Sequence, residues 1–222
     1  MSTPFQVDPE VMGRIRPMQF RDADRVAVLH EAAMGRSLWA RLGHRFLVEL
    51  YKALVDSPFF IGFVYVEDGE VQGFIAGSVD TSTLYRDLAR RRMMFLGPAA
   101  AVGLLRQPAV ALRLLETARY FGRSGAETVT AESLFCSFTE GLRGKRVSGH
   151  INKVLFDELR ARGHEQVKVT TDADNEAAIR QLKSWDFAEV ARFRFYGKDM
   201  LTWVLDLTRS PRVEAVFRHP AV

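Results

Sequence analysis

LRGKRVSG, residues 142–149, separates a strand-like run, AESLFCSF (131–138), from a helix-like segment. Apolar residues recur in that segment at helical spacing: Val147, Ile151, Val154, Leu155 and Leu159. A strand, a glycine-containing turn and an amphipathic helix favour an anion site, because unpaired N–H groups and the helix dipole converge at a helix start. Arg143, Lys145 and Arg146 add positive charge there. The stretch predicts a phosphate cradle; the alternative is the solvated start of an ordinary helix.

The bulk composition is that of an ordinary globular chain. It has 222 residues, of which 47% are hydrophobic and 26% charged. This length favours a single domain over residues 1–222, and the composition excludes a fibrous or wholly disordered chain. The net charge of +4 mildly favours an acidic ligand or partner, although many globular proteins carry such an excess without one.

Cysteine usage and hydropathy favour a cytoplasmic protein. Cys136 is the single cysteine, so it has no intramolecular disulfide partner, which is typical of a reducing compartment. The N-terminal sequence lacks a basic-then-apolar signal pattern. The most apolar segment, residues 93–105, contains Pro98 and is shorter than the roughly 20 apolar residues that a spanning helix needs. We therefore expect no transmembrane segment.

Two further classes are disfavoured by residue spacing. The five histidines show no metal-ligand spacing such as H-E-x-x-H, so no metal is expected. The arginines cluster locally and form neither a recognisable reader module nor a long basic face. No nucleic-acid partner is therefore predicted.

The first 80 residues predict strands and helices in alternation. RIRPM (14–18) predicts a strand, a helix opens at Asp22, and HRFLVELYKALV (44–55) has the apolar spacing of a second helix. Asp68 and Gly69 then lie between two β-rich runs, the strongest short-range signal of a hairpin.

Residues 82–122 interrupt this order with apolar and arginine-rich sequence. Two or three helices, broken near Pro98 and Pro108, are predicted there. A connection of this length is well beyond the usual loop, so it should have a structural or functional role. Three interpretations are open: a lid over a cleft, a docking site for an acidic partner, and a structural cap on one face of the sheet.

The C-terminal third again combines strands with a helix. QVKVTT (166–171) predicts a buried strand, followed by a helix whose cap is Asp174 or Asn175. Two alternating runs then predict a hairpin around Gly197. The tail, residues 208–222, is loosely specified.

Together, the turn and the later helix resemble the GNAT superfamily of N-acetyltransferases. The family's cofactor motif, (Q/R)-x-x-G-x-(G/A), matches residues 143–148, RGKRVS, with Gly149 directly after them. The family's later segment, N-x-x-A-I with a final G-F, matches Asn175, Ala178, Ile179 and Phe187. The resemblance covers residues 14–80 and 130–207, with residues 82–122 as a helical insertion between the third and fourth strands.

The resemblance implies an α/β fold, with α+β character, built on a mixed and mostly antiparallel sheet. That sheet is expected to splay between strands 4 and 5 and to be flanked by helices. The chain departs from the family pattern: Arg146 and Ser148 occupy its two small positions, Leu182 occupies a frequent tyrosine position, and Asp186 replaces the glycine of G-F. Because an arginine side chain can point away while its N–H faces the ligand, we predict a working cradle.

The implied co-substrate is acetyl-CoA or another acyl-CoA. Its pantetheine arm is expected along the fourth strand and its diphosphate on the turn. The predicted cofactor-binding residues are Phe135, Cys136, Ser137 and Phe138 on the strand, Arg143, Gly144, Lys145, Arg146, Val147, Ser148 and Gly149 on the turn, and Asn175.

The implied chemistry is direct attack of an amine on the thioester. A lysine-like amine has a reference pKa of about 10.4, so it must first lose a proton to a base at neutral pH. Glu132, at the start of the fourth strand, is the leading base, although an exposed strand-end charge explains it equally well; Asp80 is a weaker candidate. A main-chain N–H near Phe138 would stabilise the oxyanion. Tyr196 and Tyr120 could serve as the acid, but packing accounts for such tyrosines more often.

The function implied is N-acylation of the primary amine of a small molecule, with an aminosugar as one acceptor class. One alternative is acyl transfer from an acyl carrier protein, whose acidic surface suits the arginine cluster. The other is a non-catalytic CoA-binding or regulatory domain, favoured by Arg146 and Leu182. Monomer and homodimer are equally open.

Overall fold

The computed structural model describes residues 3–35, 37–91, 93–106, 128–195 and 197–214. The strands are β1 (Ile15–Pro17), β2 (Phe60–Glu67), β3 (Glu70–Ser78), β4 (Glu132–Phe138), β5 (Gln166–Asp172), β6 (Ala188–Phe195) and β7 (Lys198–Asp206). The helices are α1 (Pro9–Gly13), α2 (Ala23–Met34), α3 (Leu38–Arg41), α4 (His44–Val55), α5 (Thr81–Arg91), α6 (Met93–Arg106), α7 (Val147–Ala161) and α8 (Glu176–Ser184).

The seven strands of the described ranges form one mixed sheet in the order β1-β2-β3-β4-β5-β7-β6. The pairing of β4 with β5 is parallel, and the other neighbours are antiparallel. Asp68 and Gly69 both have positive φ, at 53° and 78°, as the tight turn between β2 and β3 requires. The predicted fold class and the first hairpin are confirmed.

The sheet splays between β4 and β5. In the described part of the chain their ladder consists of one pair, Glu132 with Lys168, next to a hydrogen bond of 3.0 Å from the Lys168 N–H to the Ala131 carbonyl. On its other side β4 pairs with β3 along its length, with Leu134 as an extra residue between the partners of Ala76 and Gly77. The splay expected from the family resemblance is therefore present.

Two hydrophobic clusters cover the two faces of the sheet. Helices α2 and α4 contact each other and one face, with Val26, Leu47 and Leu50 among their buried residues. Helix α7 lies on the opposite face, where Ile151 and Leu155 are fully buried. The apolar stripe of α7 thus faces the core as its spacing predicts.

The described part of the predicted insertion contains helices α5 and α6, and α6 packs on α4. The side chains of Leu96, Ala99, Ala100 and Leu104 pack against the α2–α4 cluster. This favours the structural-cap interpretation for residues 81–106, whereas residues 107–127 lie outside the described part.

The predicted helix break near Pro98 is wrong, because α6 runs through this residue. Pro98 lies in the second turn, where its missing N–H removes one intrahelical hydrogen bond. The packing of α6 on α4 compensates for that loss. The predicted break near Pro108 falls outside the described residues.

Gly103 brings α6 against the backbone before α4. A Cβ atom at this position would lie 2.4 Å from the Leu42 carbonyl oxygen, a backbone atom that cannot rotate away. We therefore expect Gly103→Ala to lower the free energy of unfolding by about 1–3 kcal/mol, the usual cost of overpacking. Gly13→Ala is the matched control, because nothing lies within 4 Å of the added methyl group. Urea unfolding of both variants measures the difference, and an equally stable Gly103→Ala protein would contradict this packing of α6.

The remaining C-terminal elements agree with the sequence interpretation. Asn175, rather than Asp174, caps α8, since its side chain accepts the Ala178 N–H at 3.1 Å. Gly197, at φ 75°, lies in the turn between β6 and β7. In the tail, residues 211–213 form a short 3₁₀ turn with Val213 buried.

Candidate active site

The turn after β4 ends at α7 through two left-handed residues. Gly144 has φ 81° and Arg146 has φ 58°. Buried Leu142 and Val147 anchor the turn at either end. The N–H groups of Gly149 and His150 both donate to the Arg146 carbonyl, so helix geometry leaves those of Val147 and Ser148 without an intrahelical acceptor.

A pocket of about 500 Å³ opens between the end of β4 and the start of α7. Eight of the predicted cofactor-binding residues line it: Cys136, Ser137, Phe138, Arg143, Gly144, Arg146, Val147 and Ser148. Ala33, Thr139, Glu140 and Leu142 complete the lining. Ala33 comes from α2, and no feature of its sequence surroundings distinguishes it from other exposed helix positions.

Four predicted cofactor residues are engaged elsewhere. The Lys145 ammonium pairs with Glu67 of the β2–β3 hairpin at 3.2 Å. Asn175 caps α8, and the Phe135 ring packs edge-to-face on His30 at 4.9 Å between centroids. Gly149 accommodates the Phe5 ring. None of the four lines the pocket, and their contact with a cofactor stays a prediction.

Arg146 holds a left-handed conformation that costs a non-glycine residue about 1–2 kcal/mol. Its guanidinium lies over the Phe5 ring, 5.8 Å from the centroid. Its carbonyl also accepts a hydrogen bond of 2.9 Å from the Nδ1–H of His150. These contacts keep an arginine in a conformation that glycine adopts freely.

His150 is held as one neutral tautomer. Its Nε2 accepts the Asp8 N–H at 2.8 Å, so its proton is on Nδ1, which donates to Arg146. The imidazole is almost fully buried, and its two hydrogen bonds link the N-terminal segment to the start of α7.

Phe5 completes this link and was missed by the sequence analysis. Its ring stacks on Trp185 at 4.9 Å and meets the His150 ring edge-on at 5.0 Å. A Cβ atom on Gly149 would lie 2.8 Å from the Phe5 ring, so the missing side chain makes room for this ring. Phe5 lies more than 140 positions from these partners in the sequence, and no local pattern could have placed it here.

Glu132 lies at the start of β4, at the other end of the strand from the pocket. Its Oε2 accepts the Thr81 hydroxyl at 2.8 Å, and the Thr170 hydroxyl also hydrogen-bonds to it. Burial raises the pKa of Glu132 above its usual range, although Lys168 and the two hydroxyls act against this rise. A carboxylate with a raised pKa suits a general base.

Asp80, the weaker candidate base, has a structural role. Its side chain accepts the Thr83 N–H at 2.9 Å and the Ser82 hydroxyl at 2.8 Å at the start of α5. Burial alone would raise the pKa of Asp80, but these hydrogen bonds hold it below the ordinary value. A carboxylate of this kind is a poor proton acceptor.

The exposed edge of β4 offers main-chain donors to the splay. The Thr139 N–H donates to the Gln72 carbonyl of β3 at 2.8 Å. Because successive N–H groups in a strand point to opposite edges, the Phe138 N–H faces the side from which β5 has diverged. The role of this N–H as an oxyanion donor stays a prediction.

Two other groups are excluded from proton or nucleophile chemistry. Burial raises the pKa of the Cys136 thiol to about 12, so it stays protonated and unreactive. Leu182 is buried in the core on α8, and its side chain has no ionisable proton.

The candidate acids Tyr196 and Tyr120 lie outside the described residues. Among the described residues, no group of three or more His, Cys, Asp or Glu could hold a metal ion.

Comparison with known proteins supports the fold at low sequence identity. No protein-family model matches the chain, and no curated protein matches its sequence. An N-acetyltransferase from Staphylococcus aureus Mu50 is 18% identical, with a TM-score of 0.55 over 87% of this chain and 97% of its own. A ribosomal-protein-alanine N-acetyltransferase from Brucella melitensis is 16% identical, with a TM-score of 0.55 over 87% and 99%.

A third similar structure was solved with its cofactor. It is yncA from Salmonella typhimurium with acetyl-CoA, 18% identical, with a TM-score of 0.53 over 90% of this chain and 97% of its own.

In the described ranges, no helix is both long and apolar enough to cross a membrane. The splayed mixed sheet, the basic turn before α7 and these structural relatives together show that the chain has the GNAT acetyltransferase fold.

Proposed function

We propose that this protein is an acyl-CoA-dependent N-acyltransferase that transfers an acetyl group to the primary amine of a small molecule. One observation carries the proposal: the pocket at the splayed end of β4 is lined by the residues whose order in the sequence predicts a phosphate cradle. The diphosphate of the co-substrate would bind at Ser148 and the start of α7, with Arg143 and Arg146 adding positive charge.

The reaction begins with removal of one proton from the acceptor ammonium by Glu132. The amine nitrogen then attacks the thioester carbonyl carbon, a C–N bond forms, and the oxyanion accepts a hydrogen bond from a main-chain N–H on the open edge of β4. The C–S bond breaks as the tetrahedral intermediate collapses to an amide. The second nitrogen proton passes through water to the leaving thiolate, so one proton in total is released to solvent. Because a thiol has a pKa of about 8.5, its anion leaves without a dedicated acid.

The acceptor, the location and the oligomeric state form the finer part of the proposal. We favour a small primary amine, with aminosugars in the first screen, and a cytoplasmic protein that acts as a monomer or homodimer. Transfer from an acyl carrier protein is the second candidate, because Arg86, Arg90 and Arg91 of α5 are exposed and could face an acidic partner.

Calorimetric titration with acetyl-CoA tests the cradle directly. Desulfo-CoA and adenosine 3′,5′-bisphosphate are the controls, since the first keeps the diphosphate and the second lacks it. We expect binding of acetyl-CoA and desulfo-CoA and much weaker binding of the bisphosphate. No binding of either CoA compound would contradict the cradle and shift the test to an acylated carrier protein. Binding without turnover over a broad amine panel would instead favour a regulatory domain.

A further inference from the structure

Helix α5, which leads into the predicted insertion, begins in direct contact with the candidate base. Thr81 is the first residue of α5, and its hydroxyl donates to Glu132 Oε2 at 2.8 Å. The Thr81 N–H also donates to the Thr130 carbonyl, just before β4, at 3.3 Å. The first residue of α5 therefore binds both the backbone leading into β4 and the carboxylate at its start.

Thr81 is itself held in place by the cap of α5. Asp80 accepts the Thr83 N–H and the Ser82 hydroxyl, and its carbonyl accepts the Leu84 N–H at 2.8 Å. Leu84 is fully buried against the α2–α4 cluster. The turn that carries Thr81 is thus fixed on both sides, which a positioning group requires.

Other groups face Glu132 from each neighbouring element. Lys168 approaches from β5 and attracts the carboxylate, while the Thr170 hydroxyl hydrogen-bonds to it from the same strand. Tyr85 lies one turn beyond Thr81 on α5; burial, and then the charge of Glu132, raise the pKa of its phenol. The carboxylate therefore lies between β5 and α5.

We infer that Thr81 is a positioning residue that orients the carboxylate of Glu132 for proton abstraction, which gives helix α5 a part in catalysis. The inference rests on the proposed function. A hydrogen bond to one oxygen restricts rotation of the carboxylate and stabilises its ionised form. Both effects favour a base that must accept its proton as an anion.

The test compares Thr81→Val with Thr81→Ser. Valine keeps the shape but loses the donor, so the acid limb of the pH profile of kcat/KM should move to higher pH. At pH 7 kcat should fall about tenfold, the kinetic equivalent of one hydrogen bond to a charged group. The KM for acetyl-CoA should not change, and serine should restore both the rate and the acid limb.

Thr83→Val is the matched control. It makes the same chemical change two residues along α5, where the hydroxyl contacts Arg86 and the cap residue Asp80 rather than Glu132. Its pH profile should match that of the wild type. An acid limb that moves equally in Thr83→Val would show that loosening of α5 is the cause and would overturn the inference.

A second readout does not depend on turnover. The side-chain carboxyl carbon of Glu132, labelled with ¹³C and assigned with Glu132→Gln, reports its titration by NMR. We expect Thr81→Val to titrate at higher pH than the wild type and Thr81→Ser to match the wild type. An unchanged titration and an unchanged acid limb in Thr81→Val would overturn the inference.

The two proposals fail in different ways. If the wild type transfers no acetyl group to any amine of the panel, the proposed function falls and the catalytic inference falls with it, whatever the titration shows. If the wild type is active and Thr81→Val retains its pH profile, the proposed function stands and only the role of Thr81 is lost.

Discussion

Ser148→Glu should abolish measurable binding of acetyl-CoA. Ser148 lines the pocket in the first turn of α7, where the main chain should meet the diphosphate. Two unit charges 4 Å apart repel by about 4 kcal/mol at an effective dielectric constant of 20, so the affinity should fall by about two to three orders of magnitude. Calorimetry with desulfo-CoA measures the loss without turnover.

The variant should fold, because a negative charge in the first turn of a helix is favourable. Ser148→Gln is the matched control: it has nearly the same size as glutamate but no charge. We expect the glutamine variant to lose far less affinity than the glutamate variant. Equal affinities for wild type and Ser148→Glu would place the diphosphate away from α7 and refute the cradle.

Glu132→Gln should lower kcat by about two to four orders of magnitude, the usual contribution of a general base. Its affinity for desulfo-CoA should stay near that of the wild type, since Glu132 lies at the opposite end of β4 from the pocket. Burial raises the pKa of Glu132, and the base works as the anion. Activity of the wild type should therefore fall as the pH decreases through that raised pKa, and the variant should lack this limb.

Asp80→Asn is the control for this experiment, because it neutralises the other carboxylate at the same junction. Asparagine also caps helices, so α5 should keep its start. We expect wild-type turnover from this variant. A large loss in Asp80→Asn with little effect in Glu132→Gln would exchange the roles of the two residues.

Local patterns predicted most of the sheet. Asp68 and Gly69 specify a turn by their tolerance of positive φ, and the apolar stripe of α7 specifies which face is buried. Pro98 shows the limit of such rules, since tertiary contacts with α4 maintain the helix where propensity alone breaks it.

The residues that line the pocket were easier to predict than the residues that hold the site in place. Ser148 and Gly144 belong to a contiguous motif, whereas Phe5 contacts the start of α7, and Thr81 contacts Glu132, from distant parts of the chain. A contact across such a separation leaves no periodic signal in one sequence. The contacts of Lys145 with Glu67 and of Gly149 with Phe5 were not predictable for the same reason, because these partners are remote in the sequence.

The single ladder pair between β4 and β5 has a consequence for how the molecule holds together. Within the described ranges, strands β1–β4 and strands β5–β7 share almost no backbone hydrogen bonds. Helix α7 holds the two parts of the sheet together, because its buried side chains share one cluster with Trp203 and Leu205 of β7. Apolar packing weakens on cooling, so the packing of α7 across the two parts should be the contact most sensitive to cold.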